Sequence, residues 1–309
     1  MVVWNTPAPP LGLYEPAEFN SSYLRHVVNL EEVRGLTFFF NVSRVMGIHV
    51  HDSAASCAMD TAKGIFDLKV DMEWIYLPLC RDDPPIAFGT RTTWAGDVNI
   101  LVRTQRTGGV ILGRHYYSGA PLRDYVLAAG RPISIIYGEP DPGQPLRLLG
   151  AHPGLSLLAE YPAAPFSMAY PQPNPINYSC LNYFSWAPLA NVSSTVTFYD
   201  EASGRCRGII FHYEGGGARA VGECRLHVDR AERVDRPARL CFWTETVPTR
   251  PHCVSHRVWA RFEQHPPSKP ANEPDQLPGG WVAWPMRGIV KFWFERLTSF
   301  MAVEDCPIR

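Results

Sequence analysis

Two histidines, His49 and His51, lie two residues apart in Gly47-Ile48-His49-Val50-His51. On an extended strand both side chains leave the same face, as paired metal ligands do in jelly-roll enzymes. A metal needs a third and usually a fourth donor, but Asp52 points to the other face and no Glu follows until Glu73. The competing reading is a polar sheet face, and neither metal nor other cofactor is expected. His252, Cys253 and His256 form a second small cluster, without the C-x-x-C partner of a zinc site. As a nucleophile and base, Cys253 and His252 would face opposite ways on a strand. Asp82-Asp83 precedes Pro84-Pro85 and reads as a pair of turn formers rather than a glycosidase acid and base. Gly215-Gly216-Gly217 lacks the Lys-Ser/Thr of a phosphate loop, and no Gly-x-Ser-x-Gly is present. An enzyme reading therefore rests on His49/His51 or Cys253/His256 being joined by distant residues.

Aromatics offer a different chemistry. Trp94, Tyr116 and Tyr117, and Trp281, Trp284 and Trp293, fall near turns or at strand ends. Rings there can stack on a sugar or a protein surface; core packing is the competing reading. Trp94, Tyr116, Tyr117 and Trp284 are the candidate binding surface. Arginines cluster between Arg205 and Arg261, but acids are interspersed and the formal net charge is -1. That describes a solvated mixed-charge face, so nucleic acid is not an expected partner.

The elements that must position these groups are strands. Cys206 to Tyr213 alternates, with Ile209, Phe211 and Tyr213 on one face and Ile210 and His212 on the other. The glycine run after Glu214 supplies left-handed positions for a tight return, and Arg219 to Arg225 makes the second arm of a hairpin. Gly208 in that strand marks a bulge or a close backbone approach. Further strands are expected at Leu36–Phe40, Gly47–His51, Val70–Leu79, Ile86–Thr92, Val98–Thr104, Val110–Tyr117, Pro132–Tyr137, Thr195–Tyr199, Leu240–Trp243 and Val258–Phe262, with the aromatic run Trp281–Phe294. A helical turn over Ser22–Val28 and a short helix over Leu155–Glu160 are weaker signals. With Pro 29 and Gly 24 marking the breaks, the chain reads as an all-β, antiparallel sandwich or jelly-roll-like fold.

Four blocks recur in order. Leu30–Val33, Leu36–Phe39, Gly47-Ile48 and Trp74–Leu79 match Leu189–Val192, Val196–Tyr199, Gly208-Ile209 and Trp281–Met286. The match implies two related β units, in which Phe38 takes the place of Phe198, Ile48 that of Ile209 and Trp74 that of Trp281. The units are residues 30–138 and 189–309, after a lead-in over 1–29 and around a Pro-rich linker over 139–188. An exposed loop over 264–280 carries five prolines. The first residues show no basic, apolar leader and no apolar run is long enough to span a membrane, so a cytoplasmic or nuclear place is expected. There the eight cysteines should be reduced thiols and the four Asn-x-Ser sequons should carry no glycan.

Phe38-Phe39-Phe40, Gly47 to His51, Trp74 to Leu79 with Asp82-Asp83, Ile86 to Arg91, and Cys206 to Arg225 resemble a family of uncharacterised filamentous-fungal proteins, many of which carry an F-box. The resemblance spans most of residues 30–250 and implies no catalytic residue. Nothing before Leu30 resembles the helical F-box, so it implies the recognition part of an adaptor without its docking part. Two functions stand at this point. One is a non-catalytic recognition module binding protein, with glycan as the second ligand class, through loops of a β scaffold. The other is the enzyme described above.

Overall fold

The computed structural model describes residues 2–4, 25–65, 72–93, 96–116, 122–153, 183–250, 253–264 and 274–305. In chain order the strands begin β1 (Val2–Trp4), β2 (Arg25–Asn29), β3 (Gly35–Asn41) and β4 (Arg44–His51). A short helix, α1 (Met59–Ile65), precedes β5 (Glu73–Pro78), β6 (Pro85–Thr93), β7 (Val98–Thr104), β8 (Gly109–Leu112), β9 (Leu122–Ala129), β10 (Ile133–Gly138) and β11 (Leu148–Pro153). Next come β12 (Tyr183–Pro188), β13 (Val192–Tyr199), β14 (Cys206–Tyr213), β15 (Ala218–Gly222), β16 (Arg230–Asp235) and β17 (Arg239–Arg250). The last are β18 (Cys253–Glu263), β19 (Asp275–Gln276), β20 (Val282–Pro285), β21 (Ile289–Glu295) and β22 (Thr298–Glu304).

They assemble as six open sheets: β1-β11-β10-β2, β4-β3-β5, β8-β7-β6-β9, β12-β21-β22, β15-β14-β13-β16 and β18-β17-β20-β19. Every ladder is antiparallel except that of β1 with β11. The fold is an all-β sandwich. No helix among the described residues is long and apolar enough to cross a membrane.

Burial explains why these strands hold. In β3 Leu36, Phe38 and Phe40 enter the main core, while Phe39 turns to a second cluster with Met46, Trp74 and the α1 residues Ala62 and Ile65. Both faces are covered, which is why its sequence is a continuous apolar run. Each buried phenylalanine contributes about 1.5–3 kcal/mol of transfer free energy. Gly47 on β4 lets the helix close, since a Cβ there would stand 2.2 Å from the Ile65 side chain. β14 is likewise two-sided: Ile209 and Phe211 join the main core, and Ile210 packs with Tyr76, Phe198 and Cys224. Gly216 and Gly217, at φ 81° and 86°, return the chain into β15.

Several expectations change. Residues 139–188, read as a linker, contain β11 and β12, and Leu149 and Ala151 are part of the main core. Residues 25–29 are strand rather than helical turn; the segment 155–160 lies outside the described residues. The aromatic run 281–294 is two strands in different sheets. The two hairpins of the block match do exist, β3–β4 and β13–β14, but their registers differ by one. Phe39 faces Gly47 as Phe198 faces Gly208, so Phe198 corresponds to Phe39 and not to Phe38. Trp74 lies in β5 beside β3, whereas Trp281 precedes β20 beside β17; the strand standing in that relation to β13 is β16. The last matched block thus serves unrelated strands, and one hydrophobic core runs through both halves.

Candidate functional site

The histidine pair is fully engaged. His49 Nδ1 and Nε2 meet the hydroxyls of Thr61 and Ser56 at 2.8 and 2.9 Å. His51 Nε2 meets the Thr37 hydroxyl at 2.8 Å, and its Nδ1 donates to the Ser56 carbonyl at 3.1 Å. Burial, then the charge of His49, holds His51 down to about 4, so both rings are neutral braces for the loop after β4. Among the described residues no three His, Cys, Asp or Glu side chains are placed to hold a metal. His252 and the Cys253 side chain lie outside the described residues, and His256 Nδ1 pairs with the Thr246 hydroxyl at 3.2 Å. Asp83 is buried and accepts the N–H groups of Arg106 and Thr107 at 2.5 and 3.1 Å and the Thr107 hydroxyl at 2.6 Å. It braces the β7–β8 turn.

Of the candidate aromatic surface, Trp94 and Tyr117 lie outside the described residues. Tyr116 is only 7% exposed, and Trp284, opposite Leu240 on the inner face of β20, packs against the main core. These two share no free surface. A different set of rings does. Along β17 and β18, Leu240, Phe242, Val258, Ala260 and Phe262 point inward, so period-two alternation sends Trp243 and Trp259 outward. They are direct cross-strand partners with ring centroids 4.8 Å apart, stacked at 29°. Trp281 joins Trp243 at 6.5 Å, and the Arg261 guanidinium lies 4.8 Å from the Trp281 ring centre. The Pro278–Gly280 turn packs beside them: Gly280, at φ 81°, would carry a Cβ 3.3 Å from the Trp243 ring. All three rings are half-exposed. The signal in the sequence was Arg-Val-Trp-Ala-Arg, whose arginines two residues either side of Trp259 mark its face as the outer one.

A second feature is a buried charged seam between β5, the end of β15 and the β21–β22 turn. Arg207 donates to Glu223 at 2.9 Å and to Asp200 at 2.5 Å, and lies 3.6 Å from Asp229. Arg225 adds a second hold on Asp229 at 2.8 Å, and Arg205 stands 3.9 Å from Asp200. Burial opposes ionisation of Asp200, but Ser203 hydrogen bonds and the Arg207 charge hold it down to about 2. Glu223 also accepts the Trp74 N–H at 3.0 Å, and Glu73 accepts the Arg296 N–H at 2.9 Å. Glu73 is 7% exposed, and burial, then the Glu223 charge, raises it well above the usual carboxylate range. Two ionised carboxylates would have no donor between them; a proton on Glu73 supplies one. Glu73 also borders a cavity of about 300 Å³ with Asn41, Val42, Tyr183 and Leu297.

Comparison of the chain with protein-family models, with curated proteins and with solved structures gave no match.

Proposed function

We propose that the chain is a non-catalytic recognition module that binds a protein partner through Trp243, Trp259 and Trp281. The observation that carries this reading is the outward pair of stacked indoles on the β17–β18 hairpin, extended by Trp281 with Arg261 over its ring. Tryptophan and arginine are the residues over-represented where protein interfaces concentrate their energy, and rings fixed by one another lose little entropy on binding. A glycan is the second ligand class, because a sugar face stacks on the same surface. The resemblance to the F-box-linked fungal family fits this role, as the part of an adaptor that meets its target. A cytoplasmic or nuclear place fits the free thiols of Cys57, Cys80, Cys206, Cys224 and Cys241.

Affinity capture from a fungal lysate, read by mass spectrometry, supplies the partner. Trp259→Ala and Trp281→Ala should weaken the captured complex about thirtyfold each, as loss of a central anchor does. A glycan array probed with the same proteins separates the two ligand classes. Capture that is unchanged in both variants, with no glycan bound, refutes the assignment.

A further inference from the structure

The hairpin that carries the tryptophans is covered along only part of one side. β17 has 12 residues, Arg239–Arg250, and pairs with β18 along that length. Its other side pairs with β20 only from Arg239 to Phe242, where the ladder stops opposite Val282. Past that point the chain turns away through Pro278–Gly280 to β19. Thr244 is half-buried, and Thr246 and Pro248 are exposed.

Two observations fix which groups face the gap. Val258 and His256 on β18, the partners of Thr244 and Thr246, donate their N–H groups away from β17, to the Ser299 and Thr298 hydroxyls at 3.2 and 2.7 Å. Both pairs are therefore of the non-hydrogen-bonded kind, in which each residue's N–H and C=O point out of the ladder. Pro248, two residues on, has no N–H and fits a strand only where that position points outwards. The N–H and C=O of Thr244 and Thr246, with the C=O of Pro248, thus face the side that β20 leaves open. Among the described residues no backbone group meets Thr244 or Thr246 there. The far edge of β18 is taken instead: those two hydroxyls, with Ser255 Oγ on the Leu297 carbonyl at 2.8 Å, clasp it to the β21–β22 turn. A row of unpaired backbone groups is a template for another strand.

We propose that the open edge of β17 takes an extended segment of the protein partner as a further strand in line with β20, with a Lys or Arg opposite Glu245. This rests on the tryptophan surface being a protein-binding face. A strand in that place sets its outward side chains beside Trp243 and Trp281, so backbone bonds supply the register and the indoles the packing. Glu245 shares the outer face with Trp243 by period two and makes no ion pair among the described residues. A cation directly opposite it is a favourable cross-strand pair. The short slot is no bar, since three residues hold β1 to β11. A second copy fits poorly. Two β17 edges joined about a two-fold axis with Thr244 against Thr246 set Glu245 against Glu245, like charges directly opposite. A shift either way brings in Pro248, which has no donor, or Phe242, already paired with β20.

A phage-displayed library of random linear dodecapeptides, panned on the full chain, provides the probe; the peptides returned are synthesised and titrated by tryptophan fluorescence. Binders should carry a Lys or Arg among β-branched residues. Methylating the peptide's backbone nitrogens one at a time leaves the protein unaltered. It should weaken binding about tenfold at every second residue and little between, the period of a strand added at an edge. Thr246→Pro removes one edge N–H, as Pro248 already does, and breaks no bond to β18; it should weaken the same peptides about tenfold. The proposal is overturned if no peptide is returned, if the methyl scan lacks that period, or if Thr246→Pro binds as the parent does with its melting temperature kept. A concentration-dependent dimer that Thr246→Pro abolishes overturns it in favour of a second copy. Peptides weakened by Trp259→Ala but not by Thr246→Pro remove the edge and leave the tryptophan surface standing.

Discussion

Replacing Gly208 by alanine adds one methyl at the most crowded point of β14. Gly208 stands between Phe198 on β13 and Gly222 on β15. A Cβ there would lie 2.6 Å from the Glu223 carbonyl oxygen and 2.7 Å from both the Glu223 carbonyl carbon and the Val221 oxygen. All three are backbone atoms, so no rotamer change relieves the contact. Glu223 cannot simply retreat, because its N–H donates to the Arg207 carbonyl at 2.9 Å and its carboxylate holds Trp74 and Arg207. Gly208 has no left-handed φ, so the whole cost is steric. We expect a loss of about 3 kcal/mol, the upper end of ordinary overpacking. In a chain of this size that lowers the melting temperature by about 5 °C. Urea unfolding followed by tryptophan fluorescence gives the free energy directly. Gly64→Ala is the matched control: nothing lies within 4 Å of its added Cβ, and it sits in α1. That change should stabilise by about 0.5–1 kcal/mol. A Gly208→Ala protein within about 0.5 kcal/mol of the parent would refute the packing argument.

Arg219, 3% exposed, donates to the carbonyls of Thr107 and Gly109 at 2.5 and 2.8 Å and lies 4.1 Å from the Trp186 ring centre. Arg219→Ala should cost about 3 kcal/mol or more by orphaning those carbonyls, and Arg219→Lys, lacking the fork, should recover little of it in the same urea assay. The pH profile of stability should fall on both sides. His51 is held down from 6.5 to about 4, so its contribution is full above 6.5 and is lost as the pH drops through about 4. Glu73 is raised from 4.5, so its contribution is full below 4.5 and is lost as the pH climbs. Urea midpoints across a pH series should show Glu73→Gln removing the high-pH loss alone; parallel profiles for the two proteins contradict the shared-proton reading.

What could be read from the sequence followed the range of the interactions. The β14–β15 hairpin was legible because alternation, a glycine run and a second arm are all local. β16 was not: Arg230, Ala231, Glu232 and Arg233 are exposed on an edge strand, so no apolar period marks it, and its charges discourage further pairing. β11 was hidden because its Leu-Leu-Gly-Ala-His-Pro stretch sits among prolines, and only pairing with β10 and β1 makes it a strand. At the tryptophan surface the strands were legible and the face was not. Tryptophan is so often buried that its exposure had to be inferred from the arginines beside it. The seam lay furthest out of reach. Glu73 alone in an apolar strand signals a buried acid, but Trp74 meets Glu223 across 149 residues and Glu73 meets Arg296 across 223. No local pattern encodes such pairings. They arise only once the two halves share a core, and that sharing turns an isolated glutamate into a proton-holding site.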